Sequence, residues 1–431
     1  AFWNCKDFII NNSNFSCTGN KTSYGGGLFP GTGSNQLIAQ DSNLNFSDNG
    51  KAGINASMLA GDGCNPNAKF YVTGGSFKAN GNGLNGVEST YRSGAKLVFE
   101  FENTDVEVTN NGKSPNGGRG DGFSYGYITL RNTDGGDYTF NVSDNGNNGL
   151  DGGAASNAAL DAKGYTIIAN GNGNIGLNIS KLNKDQSAST IKDCTVIANG
   201  NGSHGIQVKQ SLNVVNSSFT TNENSGAGFY FYGTALAAEG AQFELCGNGN
   251  SGLYVSRGSV ELGNADVTIM HNSSNNSGGG IYNNGTLTLP VGAAVYNNVA
   301  NKAGDDIYSK GTITFSKVGS EWTLDDCSHE IDGWYQDGAE HRWSAHFKPL
   351  NAVEFKQFER NGVAFVTGEL SLKAAHGLVP EDSEQSDWQT SKSKTATNLD
   401  SNYESKVTLA LPAAEETLKS DVVFVLDKST S

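Results

Sequence analysis

The feature that most restricts the fold of this chain is a repeated pair, a glycine followed by an aliphatic residue or phenylalanine. After Leu150 the apolar members of successive pairs lie 23 to 29 residues apart, whereas earlier intervals of 33 and 36 residues predict inserted loops. This period is typical of stacked coils, because each repeat can bury its apolar face only against its neighbours. The apolar positions of the series are Leu28, Ile54, Val87, Phe123, Leu150, Leu177, Ile206, Phe229, Leu253, Ile281 and Ile307.

Short segments around these positions alternate between apolar and polar residues, as in Ile206-Gln207-Val208. A period of two puts every second side chain on one face, which predicts strands. Clusters of asparagine and glycine such as 170–173 stand between the strands. Both residue types tolerate the positive φ that a sharp corner requires, so we expect each coil to turn there.

Four asparagines occupy equivalent places in the repeat. Asn80, Asn170, Asn199 and Asn222 each lie seven residues before the apolar position of their coil. We therefore expect them to stack as an internal ladder whose amides are hydrogen bonded from coil to coil.

The segment Gly278-Gly279-Gly280-Ile281-Tyr282-Asn283-Asn284-Gly285 is very similar to a signature of polymorphic outer-membrane-type proteins. With the repeat, it resembles the parallel β-helix of those proteins and of pectin-lyase-like proteins. The resemblance implies an all-β fold, with a right-handed parallel β-helix over 1–315. It implies little about activity, since β-helices carry adhesins, lyases, hydrolases and epimerases alike.

Downstream of the repeat the composition changes, and Trp334 and Trp343 appear close together. Alternating residues then predict a small C-terminal β-unit over 316–379, a β-cap or a small sandwich. The two tryptophans could form its core or bind a sugar, and a core is the simpler interpretation because so small a unit has few other large side chains. Residues 380–404 are polar and rich in serine and threonine, which predicts a linker or an exposed loop.

Residues 405–431 contain a predicted strand and then an apolar run that ends in Asp427, Ser429 and Ser431. This run looks like the first strand and the adhesion motif of a von Willebrand factor A domain, an α/β domain of which only the truncated start is present here. That resemblance implies that the three side chains supply oxygens to Mg²⁺ or Ca²⁺ in a full-length A domain. The remaining ligands would come from later loops, so we expect the site to be incomplete, and this segment to hold no cofactor. The chain starts at Ala1, and we interpret it as a piece of a longer precursor.

One residue after the apolar position, four successive coils carry a tyrosine: Tyr230, Tyr254, Tyr282 and Tyr308. If the apolar side chain points inward, each tyrosine points outward, and the rings form a column with a spacing of about 4.8 Å. Tyr232 lies beside it on the same face. Exposed aromatic faces with hydroxyl groups at their tips would suit a glycan or a protein partner. Alternatively, the tyrosines only stabilise the stack, or another segment covers them.

Two further motifs bear on activity and binding. Polygalacturonase-like elements occur at 132–134, 203–205 and 305–306, but their order is wrong and no Arg-x-Lys element follows them. We therefore expect no catalysis. Arg119-Gly120-Asp121 is an integrin-type tripeptide in a glycine-rich loop, although such tripeptides also arise by chance.

The charge balance narrows the class of partner. The formal net charge of −15 argues against a basic nucleic-acid-binding protein, and no apolar run reaches the roughly 20 residues of a membrane-spanning helix. We expect an extracellular, non-catalytic protein of the bacterial cell surface, an adhesin-like stalk that presents its outer face to a host or environmental glycan or to a cell-surface protein. A polysaccharide lyase or glycoside hydrolase of the pectin-lyase type and a self-associating structural module are the alternatives.

Overall fold

The computed structural model describes residues 2–3, 7–21, 28–29, 36–56, 69–89, 98–113, 120–124, 127–151, 160–180, 188–290, 292–315, 333–343, 352–355, 359–360, 363–375, 393–396 and 407–410. The chain forms two compact units, Ala1–Gly377 and Leu378–Ser431. In these described residues the regular secondary structure consists of strands, which confirms the all-β prediction. The same residues contain no helix of the length and apolar character that crossing a bilayer would require.

The first unit is a parallel β-solenoid, and one of its sheets contains the apolar positions of the repeat. Leu28 pairs with Ile54, and the pairing continues without a shift along the whole series to Ile307, so the repeat period is confirmed. The parallel strands of this sheet are Phe2–Trp3, Leu28–Phe29, Ile54–Asn55, Val87–Glu88, Phe123–Ser124, Leu150–Asp151, Leu177–Ile179, Ile206–Val208, Phe229–Phe231, Leu253–Val255, Ile281–Asn283 and Ile307–Ser309.

Among the described residues, the second sheet has 21 strands, most of which belong to the same coils. A coil contributes either two short strands or one long strand that bends, as Ala235–Glu244 does at Gly240 with a φ of 59°. The strands are Asp7–Asn11, Asn14–Ser16, Gln36–Asn45, Lys69–Lys78, Val98–Glu102, Asp105–Glu107, Tyr127–Arg131, Tyr138–Asn141, Leu160–Lys163, Tyr165–Ile168, Ser189–Lys192, Thr195–Ile197, Leu212–Val215, Ser218–Thr220, Ala235–Glu244, Ser259–Met270, Thr286–Leu289, Ala294–Tyr296, Thr312–Phe315, Glu359–Arg360 and Val363–Thr367.

The last complete coil is covered by antiparallel strands. Leu370–Ala375 pairs with Ile307–Ser309 and with Gly333–Gln336, and Val363–Thr367 pairs with Thr312–Phe315. These pairings satisfy backbone groups that an open sheet edge would leave for another chain. Trp334 is 1% exposed and belongs to the core of the solenoid, with its ring 5.8 Å from that of Phe315. Trp343 packs instead against Tyr335 in a small separate cluster.

A ladder of asparagines runs through the interior, but it is not the predicted one. The Oδ1 atoms of Asn80, Asn170, Asn199 and Asn222 each accept a backbone N–H of the next coil, and these four side chains are only half-buried. The buried ladder lies two residues later, where each Nδ2 donates to the next Oδ1 over 2.9–3.1 Å. Its members are Asn49, Asn82, Asn111, Asn145, Asn172, Asn201, Asn224, Asn248, Asn272 and Asn298.

The remaining strands are two short pairs. Ser273–Ser274 and Val299–Ala300 form a parallel pair in the first unit. In the second unit, Ser393–Ala396, inside the range predicted as a linker, pairs antiparallel with Val407–Ala410. The domain boundaries at 315, 379 and 404 stay predictions, and the motif residues Asp427, Ser429 and Ser431 lie outside the described residues.

Candidate functional site

The four tyrosines predicted to align do so. Tyr230 pairs with Tyr254, Tyr254 with Tyr282 and Tyr282 with Tyr308, each on adjacent parallel strands of the first sheet. In the first three of these strands the residues on either side of the tyrosine are buried and the tyrosine itself is partly exposed. Register alone therefore brings the four side chains into one column, but Tyr308 is only 7% exposed, because the strand Leu370–Ala375 covers this coil.

The rings stack on one another, which differs from the prediction of exposed aromatic faces. The ring centroids of Tyr230 and Tyr254 are 4.9 Å apart at 12°, and those of Tyr254 and Tyr282 are 4.4 Å apart at 11°. Tyr308 follows Tyr282 at 5.7 Å and 32°, and His204 continues the column at 4.8 Å from Tyr230. The physical reason is that the strand spacing of about 4.8 Å is also a good stacking distance. We call these five residues the tyrosine stack, and the ring faces inside it are occupied by the neighbouring rings.

The hydroxyl groups of Tyr254 and Tyr308 are held in their protonated form. Burial, and then the neighbouring Tyr282 and Tyr230, raise the pKa of Tyr254 to about 12. Burial and the nearby Glu369 raise the pKa of Tyr308, whose hydroxyl donates to Glu369 Oε1 at 3.3 Å. These two phenols are therefore neutral and can both donate and accept hydrogen bonds.

His204 is neutral as well. Burial lowers its pKa to about 4, and its Nδ1 accepts the N–H of Ala227 at 3.0 Å. An imidazole that accepts through Nδ1 and stacks through its face serves to hold the first ring of the column, Tyr230.

A groove of about 410 Å³ runs beside the stack, and we call it the tyrosine groove. Its walls carry amide, hydroxyl and ammonium groups, and Lys302 and Lys310 are exposed. The residues that line it are Asn250, Tyr254, Asn276, Ser277, Tyr282, Lys302, Tyr308 and Lys310. Sequence reasoning missed the five that are not tyrosines, because they lie in turns and do not repeat from coil to coil.

Tyr232 lies beside the stack but not in it. It follows the strand Phe229–Phe231 and is 39% exposed. The guanidinium of Arg257 lies 3.8 Å from its ring centroid, and Arg257 Nε donates to the Tyr232 carbonyl oxygen at 3.0 Å. One face of Tyr232 is therefore occupied by a cation of the same protein.

The elements that resemble a hydrolase site have other structural roles. Asp134 accepts the Gly136 N–H and the Tyr138 hydroxyl within its own turn. His204 belongs to the tyrosine stack, and Asp305 and Asp306 are buried at the covered end of the solenoid. Each of these groups has its own set of partners, and the structure does not bring them together as one site.

The interpretation of 119–121 as an integrin-type motif is wrong for Asp121, because the side chain of this residue is buried. Asp121 is 6% exposed, and its Oδ1 accepts the Asn147 side-chain amide at 2.8 Å and the Asn148 N–H at 2.9 Å. Burial, and then the nearby Asp151, raise its pKa to about 7. A side chain held in this way cannot be presented to a receptor, whereas Arg119 lies outside the described residues.

Comparison of the chain with protein-family models, with curated proteins and with solved structures found no match. Across the described ranges, no group of three or more histidine, cysteine, aspartate or glutamate side chains could hold a metal ion. We take the tyrosine groove as the candidate site, because it lies beside the aligned tyrosines and its lining combines phenol, amide and ammonium groups.

Proposed function

We propose that this chain is a non-catalytic binding protein of the bacterial cell surface, whose β-solenoid presents the tyrosine groove to a glycan or to a cell-surface protein. The observation that supports this most is the groove itself, in which three stacked tyrosines meet two amides, a serine and two lysines. Because the stacking fixes the rings, their hydroxyl groups occupy set positions from coil to coil.

The chemistry of the lining favours a glycan. Sugar hydroxyl groups both donate and accept hydrogen bonds, and phenol and amide groups do the same. A site that pairs such groups rejects ligands that leave its buried polar atoms unmatched. The lining residues include neither a carboxylate nor an imidazole, and the pKa of the Tyr254 phenol is raised to about 12, away from the neutral pH at which a general base works best, which favours binding over cleavage.

The extracellular location and the adhesin-like role are supported by the resemblance of the glycine repeat and of 278–285 to surface β-helix proteins. The similarity of Asp427, Ser429 and Ser431 to an A-domain motif supports the proposal that an A-type domain with a Mg²⁺ or Ca²⁺ site belongs to the full-length protein. Both statements rest on sequence patterns.

The first test removes hydroxyl groups and keeps the stack. In the double variant Tyr254→Phe with Tyr282→Phe, the rings still stack but two hydrogen-bonding groups are lost, so we expect affinity for a bound oligosaccharide to fall about tenfold. Affinities would be measured by calorimetry on a glycan identified in an array screen.

Tyr138→Phe is the matched control, because it deletes a hydroxyl that bonds Asp134 in a turn outside the groove. Unchanged affinity of the double variant would rule out the tyrosine groove as the binding site. Shortened or unsaturated sugar products would replace this proposal by the lyase or hydrolase alternative, and self-association sensitive to the same two substitutions would favour the structural module.

A further inference from the structure

The groove differs in charge from the rest of the molecule. The chain has 44 acidic and 29 basic residues, but the charged residues that line the groove are Lys302 and Lys310. Both side chains are exposed, and neither forms an ion pair with any carboxylate in the described part of the chain. Two unneutralised cations therefore face a groove on an acidic protein.

The backbone holds both lysines in place on the coils. The Lys302 N–H donates to the Asn276 carbonyl oxygen at 3.0 Å, and the Lys310 N–H donates to the Asn283 carbonyl oxygen at 2.7 Å. The Lys310 ammonium lies 5.7 Å from the ring centroid of Tyr308, at the end of the stack. The ammonium groups are thus placed at the groove, while their flexible side chains can adjust to a ligand.

The nearby carboxylate of Glu369 does not cancel this charge by direct pairing. It accepts the hydroxyl of Tyr308 at 3.3 Å and belongs to the segment that covers the last coil. Because exposed charges act mainly over about 8–10 Å at physiological salt, the local sign at the groove, and not the net charge, decides which ligand it attracts.

We infer that the tyrosine groove takes an anionic glycan, one whose sugars carry carboxylate or sulfate groups. Lys302 and Lys310 pair with these groups, while the hydroxyls of Tyr254 and Tyr282 and the amides of Asn250 and Asn276 bond the sugar hydroxyls. This inference rests on the proposed function and gives it a ligand class. It also accounts for selectivity, because an acidic protein repels polyanions except where cations are concentrated.

The test uses three oligosaccharides of equal length on the full chain: a heparin fragment with sulfate groups, an oligogalacturonate with carboxylates, and a neutral cello-oligosaccharide. We expect Lys302→Gln with Lys310→Gln to weaken binding of the anionic probe about tenfold and to leave the neutral one unchanged. Raising the NaCl concentration from about 0.05 M to about 0.3 M should weaken the binding of the anionic probes and leave that of the neutral probe unchanged.

The control is Lys163→Gln with Lys192→Gln. It changes the net charge by the same amount, at two exposed lysines that occupy neighbouring register positions on adjacent strands of the second sheet. An effect on heparin alone or on oligogalacturonate alone identifies sulfate or carboxylate as the anion recognised, and either result supports the inference. Equal affinity for neutral and anionic probes, or equal losses in the control, overturns it. If the lysine variant is unaffected while Tyr254→Phe with Tyr282→Phe weakens binding, the anionic ligand class fails and the proposed function stands.

Discussion

His204 shows how a single residue can be fixed by its surroundings in a way that the sequence pattern does not reveal. In sequence it belongs to a Ser-His-Gly element that resembles part of a hydrolase site, whereas in the structure it stacks on Tyr230 and accepts a backbone N–H. The tyrosines were predictable because register places like residues on successive coils. His204 lies in the turn before its strand, where no neighbouring coil carries an aromatic residue, so no period could reveal it.

The lowered pKa of His204 gives a prediction about pH. Unfolded histidine titrates near 6.5 and the folded residue at about 4, so the neutral ring stabilises the fold fully above pH 6.5 and progressively less as the pH falls to about 4. We expect His204→Phe to remove this pH-dependent contribution to the free energy of unfolding, which is on the order of 2 kcal/mol. The melting temperature of the variant should therefore depend less on pH between about 4 and 6.5.

Melting curves of both proteins at pH 7 and pH 4.5 measure the difference. The comparison must be made between the two proteins, because burial raises the pKa of Asp121 to about 7 and that of Asp337 to about 6. A carboxyl group with a raised pKa stabilises the folded state on acidification, whereas His204 destabilises it. The two carboxyl groups contribute equally to the wild-type protein and to the variant. Parallel pH profiles would contradict the assignment to His204.

At the scale of the coil, the corner decides which asparagine is buried. In Asn80-Gly81-Asn82 the central glycine has a φ of 64°, and the same left-handed step occurs at Gly171 and Gly200. This step interrupts the alternation of a strand, so residues on either side of it do not share a face. The sequence shows that each corner carries asparagines at regular intervals, but a period of two cannot tell which one points inward once the corner intervenes.

The two ladders therefore differ in their expected contribution to stability. Asn201→Ala removes the acceptor of the Asn172 amide and N–H in the dry interior, and we expect a loss of about 2–3 kcal/mol. Asn199→Ala removes the acceptor of the Asn222 N–H at a half-buried place that water can reach, so its loss should stay below about 1 kcal/mol. Urea unfolding monitored by circular dichroism separates them, and equal losses would show that burial does not distinguish the ladders.

At the scale of the first unit, a network of charges fastens the covering strands to the last coil. Arg342 pairs with Asp305 at 2.8 Å and with Asp337, and it also donates to the Ala300 carbonyl oxygen. Lys373 lies 3.5 Å from Asp306 Oδ2 and 3.7 Å from Asp305 Oδ2. The sequence predicts that the last coil needs a cover, but pairing between residues so distant along the chain has no local signal.

Removal of Arg342 should uncover the end of the solenoid. Arg342→Met leaves Asp305 and Asp337 buried without their guanidinium, which costs about 3–5 kcal/mol for a buried pair. We expect the covering strands to become sensitive to protease and the exposed strand edges to promote oligomers in size-exclusion chromatography. Arg131→Met is the control, because its pair with Glu100 is on the surface and is worth less than about 1 kcal/mol. A monomeric, protease-resistant Arg342→Met variant would refute this role.

The buried asparagine ladder also has a direction. Each side-chain amide donates one hydrogen bond toward the C-terminal end, and the last one, on Asn298, donates to Asp306 Oδ1 at 3.0 Å. Several of these amides, that of Asn298 included, also donate to a carbonyl oxygen of the preceding coil. The Asp306 carboxylate thus completes a row of parallel amide dipoles, much as an anion completes the amino end of a helix. A coil inserted between two coils of the series, with an asparagine at the buried ladder position, would accept from the coil before it and donate to the coil after it. Only the terminal coil requires a group that accepts without donating, so a coil added upstream of that aspartate would need no new group to complete the ladder.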